Sequence, residues 1–185
     1  MLRLKIITAS SVEPVAVAEV KTHTHITHTE EDGLIQDWIK SGRELAESYQ
    51  RRAYTKQVIQ ISYDCFPAMP IELPRSPLVS LDAVRYYDAD NTETVMGLAS
   101  FLVDADGEPG RVDLANNILW PSVVLRTMNA VQFQFTAGYG DAATDVPRNV
   151  KDAIMLYCSW RSENRAAEDD KVPESFYQLL RHDRL

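Results

Sequence analysis

At 185 residues, with 45% hydrophobic and 25% charged side chains, the chain can bury a real core, in one domain or in two small lobes, and nothing in its composition points to disorder. A formal net charge of −8 argues against a protein that grips nucleic acid by neutralising phosphates. Two cysteines are too few for a disulfide scaffold, no secretory signal precedes the first apolar segment, and no apolar run reaches the ~20 residues of a membrane span.

In chain order, Leu2 to Thr8 is a short apolar and basic run that suits one strand. Glu13-Pro14 introduces a brief helix over Val15 to Val20, with Pro14 in the first turn, where its missing N–H costs nothing. Thr29-Glu30-Glu31-Asp32 has the form of a helix start, a threonine cap followed by acids near the positive end of the dipole. Behind it Leu34, Ile35, Trp38, Ile39, Gly42, Leu45, Ala46 and Tyr49 recur at three- and four-residue steps, which predicts one amphipathic helix of about six turns closed by Arg51 and Arg52.

From Thr55 the period changes. Val58, Ile59, Ile61 and Tyr63 lie in a β-branched, aromatic run that predicts a strand. Four prolines between Pro67 and Pro77 limit Ile71 to Leu73 to an edge segment. Further strands are predicted over Val79 to Tyr87, Phe101 to Val103, Arg111 to Leu114 and Ala130 to Thr136. In the last, Val131, Phe133 and Phe135 alternate with Gln132, Gln134 and Thr136, giving one buried face and one wet one. Turn-forming residues separate these runs at 88–91 and 104–110.

Asp145-Val146-Pro147 restarts helix, with Val150, Ala153, Ile154, Tyr157, Cys158 and Arg161 along one side. Glu168-Asp169-Asp170-Lys171 breaks the pattern, and Pro173 opens a last short helix carrying Phe176, Leu179 and Leu180. The order predicts an α+β fold: a helical lobe built from both chain ends (1–54 and 145–185) with an inserted antiparallel β-rich lobe at 55–144. Residues 55–144 hold five cations and eleven acids against fourteen and sixteen for the ends, so this division makes the inserted lobe the acidic part.

No segment carries a strong chemical signature. His23, His25 and His28 lie within six residues and could share a metal, but they have no nearby cysteine and fit no known finger. A polar threonine-lined loop is the simpler reading, and no metal or other cofactor is expected. Asp104, Asp106 and Glu108 around Gly107 suit an acidic β-turn better than a calcium loop, whose glycine comes later and whose far-end acid is missing. Ala137-Gly138-Tyr139-Gly140 lacks the Lys-Ser/Thr of a phosphate loop, so its glycines are expected to let the chain turn back from strands to helix. No nucleophile elbow is present, and Cys65 and Cys158 read as reduced, buried side chains. No catalytic residue is assigned, and the chain reads as a non-enzyme.

Taken together, several segments resemble one family. Glu13-Pro14-Val15 through Glu19-Val20-Lys21, His23, Ile26 and Glu30 to Ile35 resemble the opening of tailed-phage head-to-tail connector proteins, and Tyr49-Gln-Arg51 with Arg52 the end of their long helix. The likeness continues through 71–78, 108–111, Trp120-Pro121, 131–140 and Val146-Pro147 to Trp160 and Glu163-Asn-Arg165. It implies a structural virion protein, a portal-bound adaptor made in the host bacterial cytoplasm. Such adaptors form a homo-oligomeric ring, commonly of twelve copies, seated below the portal in the neck. The ring extends the DNA channel without binding DNA specifically and docks a stopper or tail-completion protein. An acidic lobe facing that channel would repel phosphate. In this reading the portal-contacting segment is Pro173, Phe176, Tyr177, Leu180, Arg181, Arg184 and Leu185, or else a helix packed on its own lobe. Other readings are a different head- or tail-completion protein, a cytoplasmic binding module, and a small metal-dependent hydrolase using the histidines.

Overall fold

The computed structural model describes residues 3–165 and 171–181. Leu2 of the first predicted strand, Glu168 to Asp170 of the predicted break, and Arg184 and Leu185 of the terminal segment lie outside the described residues. The elements are β1 (Arg3–Thr8), α1 (Val17–Thr24), α2 (Asp32–Gln50), β2 (Gln57–Tyr63), β3 (Ile71–Glu72), β4 (Leu78–Tyr87), β5 (Glu93–Met96), β6 (Phe101–Asp104), β7 (Arg111–Leu114), β8 (Val131–Ala137), α3 (Arg148–Glu163) and α4 (Glu174–Leu180). The fold is α+β. It divides into a β unit, Met1–Ala9 with Lys56–Gly138, and a helical unit, Ser10–Thr55 with Tyr139–Leu185.

The β unit holds a five-stranded sheet in the order β1-β2-β8-β4-β5 and a three-stranded sheet in the order β3-β7-β6, antiparallel throughout. Directly opposed residues share a face of a sheet. The register therefore lays one apolar row across five strands: Leu4 and Ile6 beside Ile61 and Ile59, these beside Phe133 and Phe135, then Val84 and Leu81, with Met96 on the far strand. The centre of that row is fully buried and its alternation in β8 is the one the sequence predicts. Trp120 closes over the aromatic part, stacked on Phe66 at 4.8 Å and edge-on to Phe133 at 6.3 Å, with its indole N–H donating to the Pro67 carbonyl at 3.0 Å.

Two features depart from the sequence reading. The first strand pairs with β2, so the opening residues belong to the β unit and not with the helices. Pairing of this kind is non-local, and composition alone does not reveal it. A strand at 93–96 also exists that the sequence left as loop, because Glu-Thr-Val-Met has neither alternation nor length to mark it.

In the helical unit the apolar stripe of α2 packs through Ile35, Trp38, Ile39, Gly42 and Ala46 against Val150, Ala153, Ile154, Tyr157 and Cys158 of α3. Gly42 permits that approach: a Cβ there would stand 2.9 Å from the Tyr157 ring. α2 starts later than predicted. Glu31, not Thr29, takes the cap position, and its carboxylate is held by Arg165 at 2.7 Å instead of capping the helix end. Arg51 ends α2 in the left-handed conformation at φ 58°, its N–H on the Glu47 carbonyl. α1 is also displaced. It begins at Val17, beyond Pro14, with Glu19 accepting the Ala16 N–H at 2.8 Å, and it runs into the stretch predicted as polar loop.

Candidate functional site

The terminal segment divides into an inward and an outward side. Phe176 and Leu180 of α4 are fully buried in the helical core, so two of the seven predicted portal-contacting residues hold the helix to its own unit. Tyr177 packs its ring on Tyr49 at 4.9 Å and on Phe176 at 5.2 Å. The buried Gln50 amide donates to the Leu180 carbonyl at 2.7 Å, satisfying an acceptor at the end of α4. Pro173 precedes the helix and is half-buried, while Arg181 is exposed, 3.9 Å from Glu174.

That amide belongs to a polar cluster the sequence reading missed. The buried Arg43 guanidinium donates to Glu13 at 2.7 Å and Glu47 at 2.9 Å, and the other oxygen of Glu47 accepts the Tyr54 N–H at 3.0 Å. Tyr54 donates its hydroxyl to Gln50 at 2.6 Å. Burial opposes the charge on Arg43, but the Glu13 hydrogen bond and the Glu47, Glu13 and Glu44 charges outweigh it and raise its pKa. Each of these groups is a partner of the next, so the cluster ties α2 to the segment before α1 and to α4. A hint was available in sequence: Arg43 and Glu47 stand one turn apart, on the flank of an apolar stripe.

The histidines do not converge. His23 lies in α1, His25 caps it in the left-handed conformation at φ 56°, and His28 stands 3.3 Å from Glu30; all three are exposed. Among the described residues no group of three His, Cys, Asp or Glu side chains is placed to hold a metal ion. Asp104 works within its turn, accepting the Gly107 N–H at 3.0 Å and pairing with Arg111 at 2.7 Å. The Arg111 hydrogen bond, then that of Gly107, holds its carboxyl below the usual range. Cys158 is buried, which pushes its thiol up to about 12, whereas Cys65 is exposed, against the prediction, because it falls just past the end of β2. Gly138, at φ 140°, is where the chain leaves the β unit. No helix among the described residues is long and apolar enough to cross a membrane.

What the structure does present is apolar surface on the β unit. The segment 115–130 runs without regular structure between β7 and β8, contains no acid, and exposes Leu119 to 84% along with Val124 and Met128. Its freedom from acids in so acidic a chain is a signal that sequence reading could have used. Trp120 anchors this segment, so the apolar side chains stand on a fixed support. The outer strands β1 and β6 add further exposed aliphatics. Charge, by contrast, does not mark the β unit. Within the observed boundaries it holds seven cations and ten acids, the helical unit twelve and seventeen. The acidic-lobe reading came from drawing the boundary without Arg3 and Lys5 and with Asp141.

By sequence, the chain matches no protein-family profile and no curated protein. By structure, it matches a chain of the neck of an empty GTA particle computed with C6 symmetry, at TM-score 0.83 and 21% identity over 98% of this chain and 95% of that one. A chain of the virion of the native gene transfer agent particle gives TM-score 0.81 and 20% identity over 98% and 94%. A chain of the neck of the native particle, computed with C12 symmetry, gives 0.80 and 21% over 98% and 94%. The chain therefore has the fold of those chains over 98% of its length.

Proposed function

We propose that this chain is a structural virion protein, a head-to-tail connector that works as a ring of identical copies in the neck of a tailed-phage-like particle. The observation that carries this reading is the full-length likeness to chains of a particle neck, at TM-score 0.83 over 98% of the residues. Supporting it, the buried cluster of Arg43, Glu13 and Glu47 is engaged in holding the fold, and the main exposed surface feature is apolar, as an assembling subunit requires. The copy number in this reading is twelve, in line with the C12 symmetry of one matched particle. The ring acts without catalysis and without a cofactor, seated on the portal protein and carrying a stopper or tail-completion protein, and DNA passes through it unbound.

Portal contact belongs to the outward side of the terminal segment. Phe176 and Leu180 fix α4 in place, Pro173 and Tyr177 shape its base, and exposed Arg181 reaches the partner; Arg184 and Leu185 complete the proposed segment. Imaging of purified particles with this chain labelled tests the assignment: label confined to the neck is expected, and label in the tail or absence from particles would overturn it. Particles made without the chain should accumulate as heads unjoined to tails. Portal binding should fall when Arg181 and Arg184 are both changed to Glu, and binding unaffected by that change would remove the segment from the contact.

A further inference from the structure

Two strands of the β unit share an unusual property. β1 is the outer strand of the five-stranded sheet and exposes Leu4, Ile6 and Ile7 to between 40 and 45%. β6 is the outer strand of the three-stranded sheet and exposes Leu102 to 54% and Val103 to 42%. In a strand, consecutive residues point to opposite faces, so Leu102 and Val103 leave both faces of β6 open; β1 is exposed at all six positions. An edge strand with open apolar faces and an unpaired backbone is a template for another chain, and proteins that remain monomeric blunt such edges. Neither strand contains proline; β1 carries Lys5 and an irregularity between Ile6 and Thr8, which leaves Arg3 to Ile6 as its regular edge, and β6 offers four residues.

The two edges are opposite in charge. β1 carries Arg3 and Lys5 and no acid, whereas β6 and the turn after it carry Asp104, Asp106 and Glu108 and no cation. We propose that β1 of one copy docks on the β6 edge of the next, making the head-to-tail interface of the ring. The inference rests on the connector reading above. A ring closed by rotation needs two unlike surfaces on each subunit, which these edges supply. Of the other two edge strands, β3 is only two residues long, and β5 fits less well. It lies in the same sheet as β1, four strand steps away, and sheet twist turns it by roughly 80–100° from β1. Each copy in a twelve-membered ring is rotated by only about 30° from its neighbour. β6 belongs to the other sheet and is free of that constraint.

Charge reversal tests the pairing. Arg3→Glu with Lys5→Glu gives a chain whose two edges are both acidic; Asp106→Lys with Glu108→Lys gives one whose edges are both basic and spares Asp104, which shapes the turn. Each variant alone should need about tenfold more protein than the wild type to assemble, measured by mass photometry. An equal mixture should assemble as the wild type does, because each acidic edge then meets a basic one. Circular dichroism of the separate variants checks that both are folded. Wild-type rings together with unimpaired assembly of either variant, or a mixture that fails to recover, would overturn the pairing and leave the connector reading standing. A wild type that stays monomeric at every concentration would also overturn it. Absence of the chain from particle necks is the separate outcome that removes the reading beneath.

Discussion

The helical unit and the β unit treat their apolar residues in opposite ways. Of the fifteen large hydrophobic side chains that are exposed among the described residues, only Leu34 and Leu179 belong to the helical unit; the other thirteen stand on the β unit. The helical unit uses its aliphatic and aromatic side chains internally and supplements them with a buried ion-pair cluster. The β unit buries one aromatic-centred row and leaves edges and a long segment uncovered. A domain that folds for itself has no reason to expose that much apolar surface, whereas one that completes its burial against neighbours does. The buried polar cluster thus lies in the helical unit, and most of the exposed apolar surface lies on the β unit.

The largest effects should come from breaking the helical unit from inside. Phe176→Ala removes a fully buried ring and should cost about 3–5 kcal/mol. Thermal melting reads the loss, and Cys158, unreactive while buried, should then label with a thiol reagent as readily as Cys65 does in the wild type. Arg43→Met should cost about 3 kcal/mol in denaturant unfolding, because it leaves Glu47 buried without its guanidinium. A near-neutral result would mean that the cluster is relaxed by water and would weaken the contrast between units.

The fold was legible in sequence wherever a side-chain period ran long enough to be counted. The α2 stripe (apart from Leu34, which is exposed), the alternation in β8 and the α3 face predicted residues that form the core. What was not legible depends on contacts distant in sequence. β1 reads as an isolated apolar run until its partner is known, and β5 is too short to show a period. Arg43 and Glu47 look like solvent-facing charges until Glu13 and the Tyr54 N–H arrive beside them. The candidate site was half legible: Phe176 and Leu180 are marked as apolar by any scale, but whether an apolar residue faces inward or toward a partner is settled only by what packs over it. The exposed segment 115–130 was passed over because it has no period and no chemistry, only an absence of acids.

Changes on the β surface should separate stability from contact. Leu119→Ser with Val124→Ser should move the melting transition by less than ~0.5 kcal/mol equivalent while reducing self-association seen by light scattering. A large loss of stability would mean that the segment serves its own core. The smallest effect lies at the β6–β7 turn. The Asp104 carboxyl is held below the ordinary aspartate range, so its contribution is present above that range and is lost as pH falls through the depressed value. Arg111→Ala should return the titration of Asp104 toward ordinary values, followed by carboxyl resonances in NMR, and should make the acid limb of stability slightly shallower.

The placement of β1 also bears on how the protein is made. Its partners on β2 follow 50 to 59 residues later, after two helices of the other unit have been synthesised. During synthesis β1 emerges before its partner β2, and α1 and α2 emerge before α3 and α4, which complete their core. Neither unit is a continuous stretch of chain, so a fragment cut to 56–138 would lack an outer strand and expose the backbone of β2 in its place. Expression of either half alone is therefore a test of aggregation more than of function, and co-expression of complementary fragments is the cleaner way to take the molecule apart.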